Sequence, residues 1–305
     1  MITTPFISDG GLETWMLFHE EIELRDFAAF EMVLNEPGRE TLKTYYRRYA
    51  RIARKAGQGF LFESATWRAS ADWGERLGYS PERLADANRR AMRLLAGLRA
   101  EFQGLPTILS GCVGPRGDGY APTETMRPSE AARYHRPQIE ALKAGGAEVI
   151  SAITMTHVGE AAGIAHAAQD MGLPVVLSFT VETNGCLPDG TDLGHAIELT
   201  DRATDNAAAY YMVNCAHPSH FEHAFATGAK WLERIGGIKA NASRMSHAEL
   251  DCAEELDDGN PAELGCDYHR LRGLLPNLRI VSGCCGTDHR HIAAMSEIFA
   301  EPLAA

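Results

Sequence analysis

The sequence lacks any cluster of basic residues. Its 29 lysines and arginines are outnumbered by 41 acidic residues, which gives a formal net charge of −12. Such a chain is a poor partner for nucleic acid or an anionic membrane surface. It also lacks an apolar stretch of about 18 residues, and Met1 is not followed by a signal-peptide pattern. We therefore expect a soluble, cytoplasmic protein that acts on small molecules, cations among them.

Several common site motifs are missing as well. The sequence contains no Walker loop, no HExxH and no GxSxG, and the early Asp9-Gly10-Gly11 is not a dinucleotide fingerprint. This argues against an open doubly wound sheet. Seven cysteines in 305 residues are an odd number without a dense disulfide framework. Reduced thiols or metal ligands are the expected roles for them.

What the sequence has is a repeated pattern of a short apolar run, a polar or glycine-rich turn and an amphipathic helix. Eight such units without a break in composition predict an α/β protein, a single-domain (β/α)8 TIM barrel over residues 1–305, with an irregular insertion around 248–267. The predicted strands cover residues 6–8, 59–63, 106–110, 147–153, 174–179, 208–214, 234–238 and 279–282. The predicted helices include 40–55, 81–101, 129–144, one that ends near 171, one around 268–275 and 289–300.

Three cysteines directly follow predicted strands. Cys284 and Cys285 stand between two glycines, and Cys215 follows the strand 208–214. Neighbouring strand residues point to opposite faces, so both sulfurs of the pair can meet at one point only where the strand ends and the backbone bends. From these two cysteines alone, three interpretations stay open: a buried pair of thiols, a strained vicinal disulfide and a metal site. The third thiol favours a zinc site of three thiolates.

These motifs resemble the homocysteine S-methyltransferase family, whose members are zinc-dependent (β/α)8 barrels. The resemblance rests on residues 9–11, 114–115, 134–142, 178–180, 214–218 and 283–287. It implies that Cys215, Cys284 and Cys285 bind Zn²⁺ and leave the fourth position to an acceptor thiol. It also implies methyl transfer from a cationic donor of the S-methylmethionine or S-adenosylmethionine type to homocysteine, giving methionine.

Four further residues are candidate catalytic groups at the carboxyl ends of the strands, where barrel active sites lie. Asp9 either positions a substrate or fixes the turn at Gly10, and Asn214 is expected to orient the zinc loop through hydrogen bonds. Thr154 follows the fourth strand, and Glu13 is an acid close to the first turn. A small-molecule methyl donor and thiol acceptor are the expected partners, and a homo-oligomer is compatible with the sequence.

The chain departs from the family at two positions of this predicted pocket. The family carries Glu-Thr after the fourth strand, where this chain has Ile153-Thr154, and Asn-Thr-Phe after the second strand reads Ala65-Thr66-Trp67. Isoleucine cannot accept a hydrogen bond from an ammonium group or balance its charge. Either the acceptor is a thiol other than homocysteine, or another acid holds the ammonium. The candidate acids are Glu13, Glu63 and Glu182.

Other readings of the residues stay open. Trp15, Trp67 and Trp73 either face a cationic donor or simply pack in the core. Two further thiols near the predicted barrel mouth are expected to be small buried side chains, and two in the insertion to be reduced surface thiols; these are Cys112, Cys186, Cys252 and Cys266. A zinc hydrolase or lyase, and a non-catalytic zinc-binding or thiol-sensing barrel, are the alternatives to methyl transfer.

Overall fold

Eight parallel strands form a closed barrel in a computed structural model that describes residues 4–120 and 125–299. They follow one another in chain order, and the first strand pairs with both the second and the eighth. The predicted single-domain (β/α)8 barrel is confirmed. The strands are β1 (Phe6–Ile7), β2 (Gly59–Glu63), β3 (Thr107–Val113), β4 (Val149–Met155), β5 (Val175–Phe179), β6 (Ala208–Asn214), β7 (Ile235–Ala240) and β8 (Ile280–Gly283).

Helices connect the strands. They are α1 (Leu12–Phe18), α2 (Glu36–Ala56), α3 (Ala71–Arg76), α4 (Pro81–Glu101), α5 (Pro128–Gly145), α6 (Val158–Asp170), α7 (Leu193–Thr204), α8 (Pro218–Phe225), α9 (His247–Asp251), α10 (Pro261–Leu274) and α11 (His289–Ser296). Short 3₁₀ segments cover Arg25–Phe27, Ala29–Leu34, Lys230–Arg234 and Glu297–Phe299. No described helix combines the length and the apolar character needed to cross a bilayer.

Apolar side chains fill both sides of the strands. Every residue of β5 is buried, as its continuous apolar sequence predicts for a strand covered on both faces. The larger cluster packs the outer face of the strands against the helices. A separate cluster from alternate strand residues fills the inside of the barrel; it comprises Phe6, Leu61, Val149, Val176, Met212 and Ile280. The polar residues inside the barrel therefore lie towards the carboxyl-terminal ends of the strands.

Local capping explains where the helices begin. Ser80 caps α4 by accepting a hydrogen bond from the amide of Arg83, and Pro81 opens the helix, as predicted. Helix α2 begins at Glu36 rather than near residue 40, because the Asn35 side chain accepts from the amide of Gly38.

The predicted insertion is shorter than the sequence indicated. Residues His247–Asp251 form α9, whose capping box joins Ser246 and Glu249. Helix α10 begins at Pro261 rather than near residue 268, because the Asn260 side chain accepts hydrogen bonds from two amides of its first turn. Only residues 252–260 lie outside helices and strands in this part of the chain.

Replacing the cap of α10 should destabilise the protein. The change Asn260→Ala removes the acceptor for the amides of Ala262 and Glu263, 2.9 and 3.2 Å away. We expect the free energy of unfolding in urea to fall by about 1 kcal/mol. Asn260→Asp keeps the acceptor and serves as the control, which should lose less than half as much. Equal losses in both variants would show that the cap does not hold the helix start.

Candidate metal centre and substrate cavity

A cavity of about 450 Å³ opens at the carboxyl-terminal end of the barrel. Its wall brings together residues at or just after the carboxyl ends of β1, β2, β3, β4, β6, β7 and β8, as expected for the active-site end of this fold. The residues predicted for the site that line it are Asp9, Glu13, Glu63, Ala65, Trp67, Ile153, Thr154, Cys215, Cys284 and Cys285. Residues from 250 to 257 border the same cavity.

The three predicted cysteines meet at this cavity. The sulfurs of Cys215, Cys284 and Cys285 all lie within 4.8 Å of one another. Within residues 4–120 and 125–299 this is the one group of three histidine, cysteine or acidic side chains with such spacing. Cys215 and Cys284 are buried, and Cys285 is partly exposed. The arrangement supplies three ligands of one chemical type beside an open space.

The donor set fits a zinc ion. A tetrahedral site with Zn–S bonds of about 2.3 Å places its sulfurs roughly 3.8 Å apart. The three sulfurs lie within 4.8 Å of one another, and the cavity they line leaves room for a fourth ligand. The sulfurs of Cys215 and Cys284 are in direct contact as a disulfide pair, with Cα atoms 5.5 Å apart, whereas the thiol of Cys285 is free. Since thiolates bind metal, the pair must be reduced before an ion can enter.

Close backbone packing holds the cysteine loop against the start of α1. A Cβ on Gly11 would lie 2.5 Å from the carbonyl oxygen of Cys284, so only glycine fits there. The amide of Gly286, which has a φ of +77°, donates to the hydroxyl of Thr14. The hydroxyl of Thr287 in turn donates to the carbonyl of Cys284 at 2.7 Å. These contacts explain why glycines flank the paired thiols and follow Asp9.

Asn214 organises the ends of β4 and β6. Its side-chain oxygen accepts from the amide of Thr154 at 2.8 Å and from the hydroxyl of Ser178 at 2.6 Å. Its side-chain nitrogen donates to the hydroxyl of Thr154 at 2.9 Å. Thr154 and Cys215 both have left-handed backbone, with φ of 63° and 55°. For a β-branched residue this conformation is strained, and the three hydrogen bonds hold it in place.

A buried lysine joins the acids at the floor of the cavity. The ammonium of Lys239, on β7, lies 3.1 Å from the carboxylate of Asp9, 3.3 Å from that of Glu63 and 3.1 Å from the hydroxyl of Ser282. Burial lowers the pKa of Lys239, but the two carboxylates outweigh it and raise that pKa above its usual value. Burial raises the pKa of Glu63, and Lys239 partly offsets this. The sequence analysis did not single out Lys239, although a lysine directly after the predicted strand 234–238 was the available signal.

Glu13 stands on the wall in the first turn of α1. Burial raises the pKa of its carboxyl group to about 7; a local backbone hydrogen bond opposes this, and the charge of Asp9 adds to it. Glu182 does not line the cavity. Its carboxylate pairs with the imidazole of His247 at 3.2 Å.

Tyr120 and His247 form a second contact to the metal centre that the sequence did not reveal. Their rings stack with centroids 4.1 Å apart. The hydroxyl of Tyr120 lies 3.5 Å from the sulfur of Cys285, and the imidazole of His247 lies 2.7 Å from the carbonyl oxygen of Cys215. The stacked pair therefore contacts the cluster at the thiol of Cys285 and at the backbone of Cys215.

The tryptophans do not form a cage for a cationic donor. Trp15 packs against Tyr45 in the core, and Trp73 is buried beneath the guanidinium of Arg68, 4.0 Å from its ring. Trp67 lines the cavity, but Arg68 also lies over its ring, at 4.8 Å. The reading in which all three face a donor is therefore wrong for Trp15 and Trp73, because packing and an internal cation occupy them.

The remaining cysteines behave mostly as expected. Cys112 is buried on the cavity wall, outside the metal-binding group. Cys252 and Cys266 are exposed free thiols, and Cys186 is a partly exposed one.

Two polar residues near the site cap the helices that follow β6 and β8. The imidazole of His217 caps α8 by accepting from the amide of Ser219. The carboxylate of Asp288 caps α11 by accepting from the amide of Arg290.

The comparisons with known proteins agree on one family and one fold. A family model described as homocysteine S-methyltransferase matches residues 6–299. Two crystal structures of the Escherichia coli homocysteine methyltransferase MmuM are similar to this chain at 18% identity. For the oxidised form the TM-score is 0.77, and the match covers 96% of this chain and 94% of the MmuM chain. For the metallated form the TM-score is 0.74, and the match covers 96% of each chain. A search of curated proteins found no match.

Removing one cysteine of the cluster should remove the metal. Reduced Cys285→Ala, mixed with one equivalent of zinc and dialysed, should retain less than a tenth of the zinc held by the unaltered protein, because two thiolates bind far less tightly than three. Zinc content is measured by elemental analysis and folding by circular dichroism. Cys112→Ala, a thiol change on the same cavity wall, should keep full zinc. Full occupancy in Cys285→Ala would contradict the ligand assignment.

The backbone strain at Thr154 can be measured with a pair of variants. A left-handed residue other than glycine costs about 1–2 kcal/mol, and glycine loses about 0.5–1 kcal/mol more than alanine in backbone freedom on folding. Thr154→Gly should therefore be about 0.5–1 kcal/mol more stable than Thr154→Ala in urea unfolding. Both lack the hydroxyl, so the comparison isolates the backbone. A more stable alanine variant would show that the position is not strained.

Proposed function

Because the chain belongs to the homocysteine S-methyltransferase family, we propose that this S-methyltransferase uses Zn²⁺ held by Cys215, Cys284 and Cys285 to methylate a small thiol from a sulfonium donor. The observation that carries the proposal is the meeting of three thiols at an open cavity. Homocysteine, the acceptor in the family's description, is the reference acceptor for assay.

A zinc ion held by three thiolates would bind the acceptor thiol in its fourth position and lower the pKa of that thiol, which makes the sulfur nucleophilic. The cavity residues align sulfur, methyl carbon and leaving group. In the transfer, a lone pair of the acceptor sulfur forms the new S–CH₃ bond. The donor's S–CH₃ bond breaks with its electron pair on the donor sulfur, so a thiolate and a sulfonium become two neutral thioethers, a neutralisation that a buried site favours.

The charges around the cavity favour a cationic donor. Asp251 and Glu255 line the cavity and are exposed at its mouth, and Glu13 stands on its wall. A net charge of −12 extends this acidic field over the whole chain. Such a field attracts a cation and raises its local concentration at the entrance. Sulfonium compounds carry that positive charge next to the methyl group to be transferred.

The cluster supports thiol chemistry better than hydrolysis. Three thiolates donate strongly to a metal ion and make it a weaker acid towards bound water than a site of neutral ligands. Two of the buried carboxylates in the cavity, Asp9 and Glu63, are paired with Lys239 and are therefore poorly placed to shuttle a proton.

Methyl transfer should depend on the cysteine cluster. Reduced, zinc-loaded protein with S-methylmethionine or S-adenosylmethionine and a panel of thiols should yield the methylated thioether, measured by mass spectrometry. The panel is homocysteine, 4-mercaptobutyrate and 2-mercaptoethanol. Cys285→Ala should lose at least a hundredfold in rate, whereas Cys266→Ala, which removes an exposed thiol outside the cavity, should keep its rate within about threefold, because it leaves the three thiols and the cavity wall in place. Zinc binding without transfer to any thiol would instead favour a non-catalytic, thiol-sensing barrel.

A further inference from the structure

The floor of the cavity already contains an ammonium group, that of Lys239. Its side chain is 8% exposed, and those of Asp9 and Glu63 are 6% and 10% exposed. We propose that Lys239 occupies the carboxylates with which an acceptor's ammonium would pair, so that the preferred acceptor is a small thiol without an amino group. The inference rests on the proposed methyl transfer and narrows its substrate class.

The hydrogen bonds of Lys239 are all made to groups of the cavity floor. A lysine ammonium has three N–H donors, and Lys239 has three oxygen partners at 3.1 to 3.3 Å. These come from β2, from β8 and from the segment just after β1, so the lysine connects four neighbouring strands of the barrel. One oxygen of Asp9 receives both Lys239 and the hydroxyl of Ser8. The internal ammonium is covalently tethered in place, which gives it an advantage over any diffusing cation.

The part of the wall formed by Ile153 and Ala65 offers nothing to an ammonium group. Ile153 and Ala65 line the same cavity and are 7% and 5% exposed. Neither side chain can accept a hydrogen bond, and an ammonium buried without a partner is strongly disfavoured. A second positive charge near Lys239 would also be repelled in this poorly solvated space. An acceptor carbon chain without an amino group avoids both penalties.

The exposed acids of the cavity lie at its mouth, which separates the two substrates by charge. Asp251 and Glu255 are at the exposed mouth, on the segment after β7. The buried floor has two carboxylates and one ammonium within a few ångströms, so much of its negative charge is neutralised. A cationic methyl donor is therefore favoured towards the mouth, and an acceptor without an ammonium is favoured at the floor.

A pair of matched acceptors tests the proposal directly. Homocysteine and 4-mercaptobutyrate have the same carbon chain, thiol and carboxylate, and differ only in the amino group. With reduced, zinc-loaded protein and a sulfonium donor, kcat/KM for 4-mercaptobutyrate should equal or exceed that for homocysteine. A homocysteine preference of tenfold or more would overturn the inference and leave the proposed function intact. Transfer to neither thiol nor to 2-mercaptoethanol would instead reject the proposed function.

Variants at the floor assign the effect to Lys239. Lys239→Met frees Asp9 and Glu63, and should shift the kcat/KM ratio of homocysteine to 4-mercaptobutyrate at least tenfold towards homocysteine. If this variant does not fold, the double change Lys239→Met with Glu63→Met removes one of the two freed acids and should shift the ratio in the same direction through Asp9. Lys143→Met, the same change on the exposed face of α5, is the control and should leave the ratio unchanged. An unchanged ratio in every folded Lys239 variant would contradict the assigned role.

Discussion

The geometry of the cysteine cluster depends on two backbone hydrogen bonds to one strand. The amide of Cys215 donates to the carbonyl of Lys239 at 3.1 Å, and the amide of Cys284 donates to that of Ala240 at 2.8 Å. Strand β7 therefore lies between the two cysteine-bearing strands and sets the distance between their thiols. Because β7 is itself fixed by the hydrogen bonds of the closed barrel, the positions of the thiols are set by the sheet rather than by a loop.

The same strand also sets the charge of the cavity floor. The backbone carbonyl of Lys239 accepts the hydrogen bond that positions Cys215, and its ammonium pairs with Asp9 and Glu63. A buried ion pair of this kind contributes little net stability, because desolvation offsets much of the attraction, but it strongly penalises the loss of either partner. We infer that the pair is kept for what it does to the cavity: it neutralises acids next to a cluster of thiols that would themselves become anions.

Much of this arrangement could be predicted from local sequence, and the rest could not. The continuous apolar residues of β5 predict a strand, and Ser80-Pro81 predicts the start of α4. The cysteines of the cluster can be recognised because they follow strands. The strained backbone of Thr154 depends on Asn214, 60 residues away, and the partners of Lys239 come from three other strands. Such contacts between distant segments leave no pattern in a short stretch of sequence, which is also why two interpretations of the tryptophans stayed open.

The contact between Gly11 and Cys284 has a consequence for biosynthesis. It joins the segments after the first and the eighth strand of the barrel, and β8 is translated after the other seven strands. A domain folds as a unit during synthesis, so Cys215 remains a lone thiol until β8 and the cysteine pair have been translated. All three ligands are therefore present only once residue 285 has been added, and a chain interrupted before residue 284 has one of them.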